Sequence, residues 1–167
     1  TLLVPTRKLI PMQQRPIYLY DTANTTISPR ILLLWRFEDL MISKYNTFIT
    51  GYLQATFKNG MEVSKLYCLK CASRLLRGTP QGEDVVLSMM VNKLGDPDKK
   101  IASAAGHELR RVLEQYPSMQ VVVAREVQQL AHRPALSPKA LYHCIIFLNQ
   151  LTLSTNEQNE LPASLIT

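Results

Sequence analysis

The chain has little that would staple or anchor it. Only three of its 167 residues are cysteine: Cys68, Cys71 and Cys144. An odd, small number argues against a disulfide-framed secreted domain and fits a reducing compartment. No apolar run approaches the ~18 residues of a membrane-spanning helix, and no signal-peptide pattern opens the chain. An initiator Met is also missing, so the sequence reads as a piece of a longer protein. Glycine is scarce, at six residues, and none sits in a phosphate-cradling loop. No Ser-His-Asp arrangement can be placed, and no paired metal ligands. The chain is therefore read as non-enzymatic, with no catalytic, metal or cofactor residue and no small-molecule substrate.

Two patterns that invite chemistry have plainer readings. Cys68-Leu69-Lys70-Cys71 is a single CxxC, and a metal site needs about four ligands, usually two such pairs. His107, His132, His143 and Cys144 are singletons at the wrong spacing. Cys68, Cys71, Ala72 and Leu75 would share one helical face, as small core residues do. Three free, buried, metal-free cysteines are the expectation. Glu38 and Asp39 are adjacent carboxylates, and neighbours on a helix point about 100° apart. They cannot easily share a proton, so a solvated or capping pair is expected.

What is present is hydrophobic content of 46% with helical spacing, which excludes a disordered composition. Net charge is +6, unevenly placed. Residues 1–60 carry seven Lys/Arg against three Asp/Glu, and residues 61–134 carry eleven against eight. Residues 135–167 carry one against two. The excess permits a nucleic-acid surface without demanding one.

Residues 1–27 hold Pro5, Pro11 and Pro16, a density that blocks regular helix and ladder pairing. They predict an extended arm lying on other surfaces. The alternative is a lead-in held by Leu9, Ile10 and Tyr18. Ser28-Pro29 is a cap-plus-Pro start, and the helical pattern runs to about Lys58, as one helix or two broken near Ser43. Ile31, Trp35, Ile42, Tyr45, Ile49, Tyr52 and Leu53 keep its period. Helices follow over 62–77, 83–94, 97–116, from Pro117 to a stop at Arg133-Pro134, and over 139–154. Met119, Val122, Val123, Val127 and Leu130 are expected inward in the fourth of these. Val121-Val122-Val123 has strand propensity, but the apolar period there is three and four, not two. The last full helix is apolar nearly all round, which predicts neighbours on several sides. Residues 157–167 look like the first turns of another helix.

The stretch from Gly95 to Leu109 organises the rest. Asp96 is the expected N-cap, Pro97 fits the first helical position, and Asp98 suits the positive helix end. Ile101, Ala105, Leu109, Val112, Leu113 and Tyr116 mark one face, and Ala102, Ala105 and Gly106 would let a neighbour approach. Lys100, Ser103, His107, Arg110 and Arg111 occupy the other. Asp96-Pro97 and Ser137-Pro138 open helices 41 residues apart, a period that fits HEAT or armadillo units. The fold reading is all-α: a HEAT/armadillo-like α-solenoid over 28–167 with an extended N-terminal arm over 1–27.

Several stretches carry a family resemblance: Arg7-Lys8-Leu9 with Gln14-Arg15-Pro16; Leu32-Leu33-Leu34-Trp35-Arg36-Phe37-Glu38-Asp39-Leu40; Val91-Asn92-Lys93-Leu94-Gly95-Asp96-Pro97-Asp98-Lys99-Lys100; Val121-Val122-Val123-Ala124-Arg125-Glu126-Val127; Arg133-Pro134; and Phe147-Leu148-Asn149-Gln150. In this order they resemble the CCAAT-binding-factor family, in its nucleolar-complex branch related to CCAAT/enhancer-binding protein zeta. The resemblance implies a nucleolar helical-repeat scaffold for large-subunit (pre-60S) ribosome assembly. It implies a nucleolar-complex partner protein and contact with pre-ribosomal RNA, and no membrane. Two alternatives stand beside it. One is a CCAAT-box DNA-binding transcription factor, against which stands the lack of a recognition-helix module with clustered Arg/Asn. The other is a HEAT-repeat transport or phosphatase scaffold, since fold alone does not give function. Basic residues outside the apolar seams are the candidate RNA contacts: Arg7, Lys8 and Arg15 on the arm, and Lys99, Lys100, Arg110 and Arg111 on the 97–116 helix.

Overall fold

The structure, a computed structural model, describes residues 8–15, 27–134 and 136–151. Arg7, the Ile17–Tyr20 stretch, Ala135 and the expected helix over 157–167 lie outside the described residues. All regular structure among the described residues is helical. The elements are α1 (Pro29–Thr47), a π-helical segment (Phe48–Leu53), α2 (Gln54–Asn59), α3 (Glu62–Gly78), α4 (Glu83–Asn92), α5 (Lys99–Gln115), α6 (Gln120–Ala131) and α7 (Pro138–Gln150). Short 3₁₀ turns cover Met12–Gln14, Lys93–Gly95 and Pro117–Met119. No described helix is long and apolar enough to cross a membrane.

The expected break in the first helical stretch sits later than Ser43. α1 passes through Ser43 unbroken, and π geometry takes over at Phe48. The hydroxyls of Thr47, Thr50 and Thr56 each donate to the carbonyl four residues back, at 2.8–3.0 Å. Such back-bonding competes with the helical ladder and bends helices. The buried line along this stretch is Ile42, Ile49, Leu53 and Phe57. Ile31 and Tyr52, expected on that line, are exposed, because the face turns inward only from Ile42 onward.

The middle helices form the core. α3 packs mainly on α5, and α4 packs on α3 and α6. α7 packs on α6, on α5 and on the Lys93–Gly95 turn. α3, α5 and α7 are thus lateral neighbours, backed by α4 and α6. Val86, Leu87, Met90, Val91 and Leu94 are buried as their spacing predicts, and so are Ile101, Ala102, Ala105, Gly106, Leu109, Val112 and Leu113. The Val121-Val122-Val123 run is helical, with Val123, Ala124, Val127 and Leu130 inward. Val122 is 49% exposed, one position off the buried stripe.

Three further details differ from the sequence reading. α5 begins at Lys99, not Pro97, and its cap is Asp98, whose carboxylate accepts from the Lys100 N–H at 2.8 Å. Asp96 is occupied one step earlier: it accepts from the Asp98 N–H at 3.1 Å and from Lys93 Nζ at 2.8 Å. α3 is rotated so that Leu69, Ala72, Ser73 and Leu76 are buried, leaving Cys68 and Cys71 half-buried and only Cys144 fully buried. α7 ends at Gln150, and it buries only Ala140, Cys144 and Phe147 while Leu141, Tyr142 and Ile145 stay exposed. Its packed neighbours all lie on one side, which leaves that outer apolar face uncovered among the described residues.

Candidate nucleic-acid interface

α5 presents one continuous outward face. At 100° per residue, the positions opposite Ile101, Ala105 and Leu109 are Lys99, Lys100, Ser103, His107, Arg110, Arg111 and Glu114. All are exposed except Arg110, which is half-buried. Four fixed cations meet one carboxylate on this face, so it is net positive.

The four cations divide into two edges. Lys100 Nζ lies 3.1 Å from a Glu62 carboxylate oxygen at the start of α3. Arg111 lies 3.3 Å from Glu108, whose carboxylate is almost fully buried beside it. Lys100 and Glu62 are both exposed, and a pair of this kind holds by only ~0–1 kcal/mol, so Lys100 can exchange its carboxylate for a phosphate at little cost. Arg111 is tied more firmly, because the buried Glu108 would be left unpaired without it.

Lys99 and Arg110 form the other edge, toward α7. Arg110 donates to the Gln150 side-chain carbonyl. Lys99 has no ion-pair or hydrogen-bond partner among the described residues.

The two described arm residues sit elsewhere. Lys8 pairs with Glu83 at 2.9 Å, in the first turn of α4. The hydrogen bond to Glu83 and its charge raise the Lys8 ammonium above its ordinary pKa. Arg15 is turned inward rather than displayed. Its guanidinium pairs with Glu38, reaches the Ile10 carbonyl, and lies 5.0 Å from the Trp35 ring centroid. Glu38 is likewise buried, and Asp39 accepts from the Met12 N–H at 3.2 Å and from Arg36 at 3.0 Å. The adjacent carboxylates are therefore two anchors for the arm rather than a solvated pair. The structure gathers the α5 residues onto one surface and does not join Lys8 or Arg15 to it.

Lys139, Tyr142 and His143 belong to the same surface and were not among the sequence candidates. They line the α7 wall of a cleft of about 450 Å³ opposite Lys99. Lys139 lies beyond residue 134, where the chain carries no positive excess, so the charge distribution does not mark it. Tyr142 counts in the sequence among the apolar positions of the last helix, and His143 is a singleton at the wrong spacing for a metal. No group of three or more His, Cys, Asp or Glu side chains among the described residues could hold a metal ion. Burial raises the Cys68 and Cys144 thiols above their ordinary pKa, which favours the neutral, weakly nucleophilic form.

Comparison with known proteins gives a consistent set of relatives. The chain is 37% identical over 169 aligned residues to CCAAT/enhancer-binding protein zeta of Homo sapiens, covering 99% of this chain and 16% of that protein. It is 33% identical over 158 residues to Nucleolar complex protein 1 of Drosophila melanogaster, covering 92% of this chain and 13% of that protein. It is 34% identical over 127 residues to Ribosome biogenesis protein NOC1 of Chaetomium thermophilum, covering 75% of this chain and 12% of that protein. The chain thus spans 12–16% of the length of these relatives. No protein-family model matches it.

Proposed function

We propose that this chain, homologous over nearly its whole length to a segment of the CCAAT/enhancer-binding protein zeta and nucleolar complex protein 1 family, is a non-enzymatic scaffold segment of a ribosome assembly factor. It works in the nucleolus on the large-subunit precursor, beside a nucleolar-complex partner protein. The observation that carries this reading is sustained identity to proteins named for the nucleolar complex and for ribosome biogenesis. The helical neighbour pattern supports a HEAT-like repeat, in which α3, α5 and α7 form one layer and α4 and α6 the other. Such a layer leaves apolar end faces for further repeats, and α7 has one at Leu141 and Ile145.

Pre-ribosomal RNA is contacted by the outward face of α5, through Lys99, Lys100, Arg110 and Arg111. Those contacts go mainly to phosphate and carry little sequence information. Arg15 serves instead to fasten the arm to α1. The test is removal of charge at all four α5 positions in the full-length protein, read by crosslinking to pre-ribosomal RNA. Loss of crosslinks with the protein folded and partner-bound supports the reading. Unchanged crosslinks under the same conditions contradict it.

A further inference from the structure

α5 and α7 run parallel with a groove between them. Lys99 at the start of α5 faces Lys139, Tyr142 and His143 at the start of α7 across the cleft of about 450 Å³. Farther along, a second cleft of about 190 Å³ has Lys99, Ser103, Arg110, His143 and Gln150 around an apolar lining that includes Leu94, Ile146 and Phe147. Lys99 and His143 line both, so the two clefts adjoin along the helix pair. Arg110 bonds Gln150 across its far end.

The cations lining this groove have no carboxylate partner among the described residues, a state they share with Lys44, Lys58 and Arg133 elsewhere on the surface. Lys8, Arg15, Arg36, Lys93, Lys100 and Arg111 each have a carboxylate partner. Lys99 and Lys139 have no such partner among the described residues, and both are exposed. The one carboxylate in the wall, Asp96, is turned to Lys93 Nζ and the Asp98 N–H. Tyr142 adds a flat ring that is 62% exposed, held edge-on to His143 at 6.0 Å between centroids. A large aromatic ring left in water beside two unpaired cations has no role in the core, which α7 builds from Ala140, Cys144 and Phe147.

We infer that the α5–α7 groove is a binding site for single-stranded RNA, with phosphates on Lys99, Lys139 and Arg110 and an unstacked base on Tyr142. A cationic groove combined with an accessible ring is how single strands are held without sequence preference. Duplex RNA keeps its bases stacked inside the helix and offers no face to Tyr142. An acidic peptide would use the lysines but not the ring. This inference rests on the RNA-contacting reading above and adds the place, the strandedness and the α7 residues.

The test titrates labelled polyuridine against the full-length protein by fluorescence anisotropy over a range of salt. Lys99→Glu with Lys139→Glu should weaken binding at least about tenfold and lower the salt slope by about 1.4, for two lost single-strand phosphate contacts. Tyr142→Ala should weaken it by about 5- to 100-fold, whereas Tyr142→Phe keeps the ring and the affinity. Lys44→Glu with Lys58→Glu makes the same charge change on α1 and α2 and should have little effect, since distant exposed charges are screened. Duplex RNA should bind without sensitivity to Tyr142→Ala. Equal weakening by the α1/α2 pair, or full affinity in Tyr142→Ala, overturns the groove while leaving RNA contact intact. Displacement by polyglutamate as effective as by RNA of equal charge makes the groove a protein-docking face and also overturns it. Failure of the unaltered protein to bind RNA at all overturns the RNA reading itself.

Discussion

Arg15 and Glu38 join the N-terminal segment to α1 through a nearly buried ion pair, with both side chains only 11% exposed. Trp35 packs beneath the guanidinium, and Met12 and Leu9 donate their N–H groups to Asp39 and Gln81. The segment is therefore fastened at three points. Arg15→Ala should free it, at a cost of about 1–3 kcal/mol for a charged, mostly buried hydrogen bond. Hydrogen exchange should show lost protection at the Leu9 and Met12 amides, with the α5 amides unchanged. Arg15→Lys should rescue only part of this, because an ammonium lacks the planar fork and the stack.

Gly82 should resist substitution. It caps α4 in the left-handed region, at φ 64°, where an L side chain is strained. An added Cβ would also lie 3.1 Å from Ile49 Cδ1. Gly82→Ala should lower stability by about 1–2 kcal/mol, measured by denaturant melts.

Asp96 gives the fold an acid-sensitive joint. Burial alone would push its carboxyl up, but the Lys93 hydrogen bond, the Asp98 N–H and the charges of Lys93 and Lys65 outweigh burial and hold it below the usual range. A depressed carboxyl stabilises the fold above its unfolded value of ~3.9, and that stability fades as pH falls through the folded value. Asp96→Asn should cost about 1–3 kcal/mol at neutral pH. The gap between the two proteins should close below about pH 4. A gap that is constant down to the acid transition would contradict this.

Much of this was legible in the sequence because helical cores announce themselves by spacing. The α4 and α5 faces follow the positions that their apolar period marks, except that Tyr116 is exposed beyond the end of α5, and the Val121–Val123 run follows the period rather than its strand propensity. Local chemistry with two near-equal solutions was harder to read. Asp96-Pro97-Asp98 offers two caps two residues apart, and a long-range partner, Lys93 against a buried Asp96, decides between them. The inward turn of Arg15 depends on Glu38 and Trp35, more than 19 residues away, and no local pattern encodes it. The groove was hidden for the same reason, since its walls come from helices 40 residues apart.

Ala105 tests the close approach at the centre of the core. It is fully buried on α5, whose main neighbour is α3. Ala105→Leu should overpack the site and cost about 1–3 kcal/mol. A thermal melt with no loss would show that the face has room the structure does not give it.

The assignment to ribosome assembly is tested most directly by what the tagged full-length protein brings with it from nucleolar extract. The account predicts large-subunit precursor particles, with pre-ribosomal RNA and a nucleolar-complex partner recovered together. Recovery of a CCAAT-containing promoter fragment, or of transport cargo or a phosphatase, without precursor particles would contradict it.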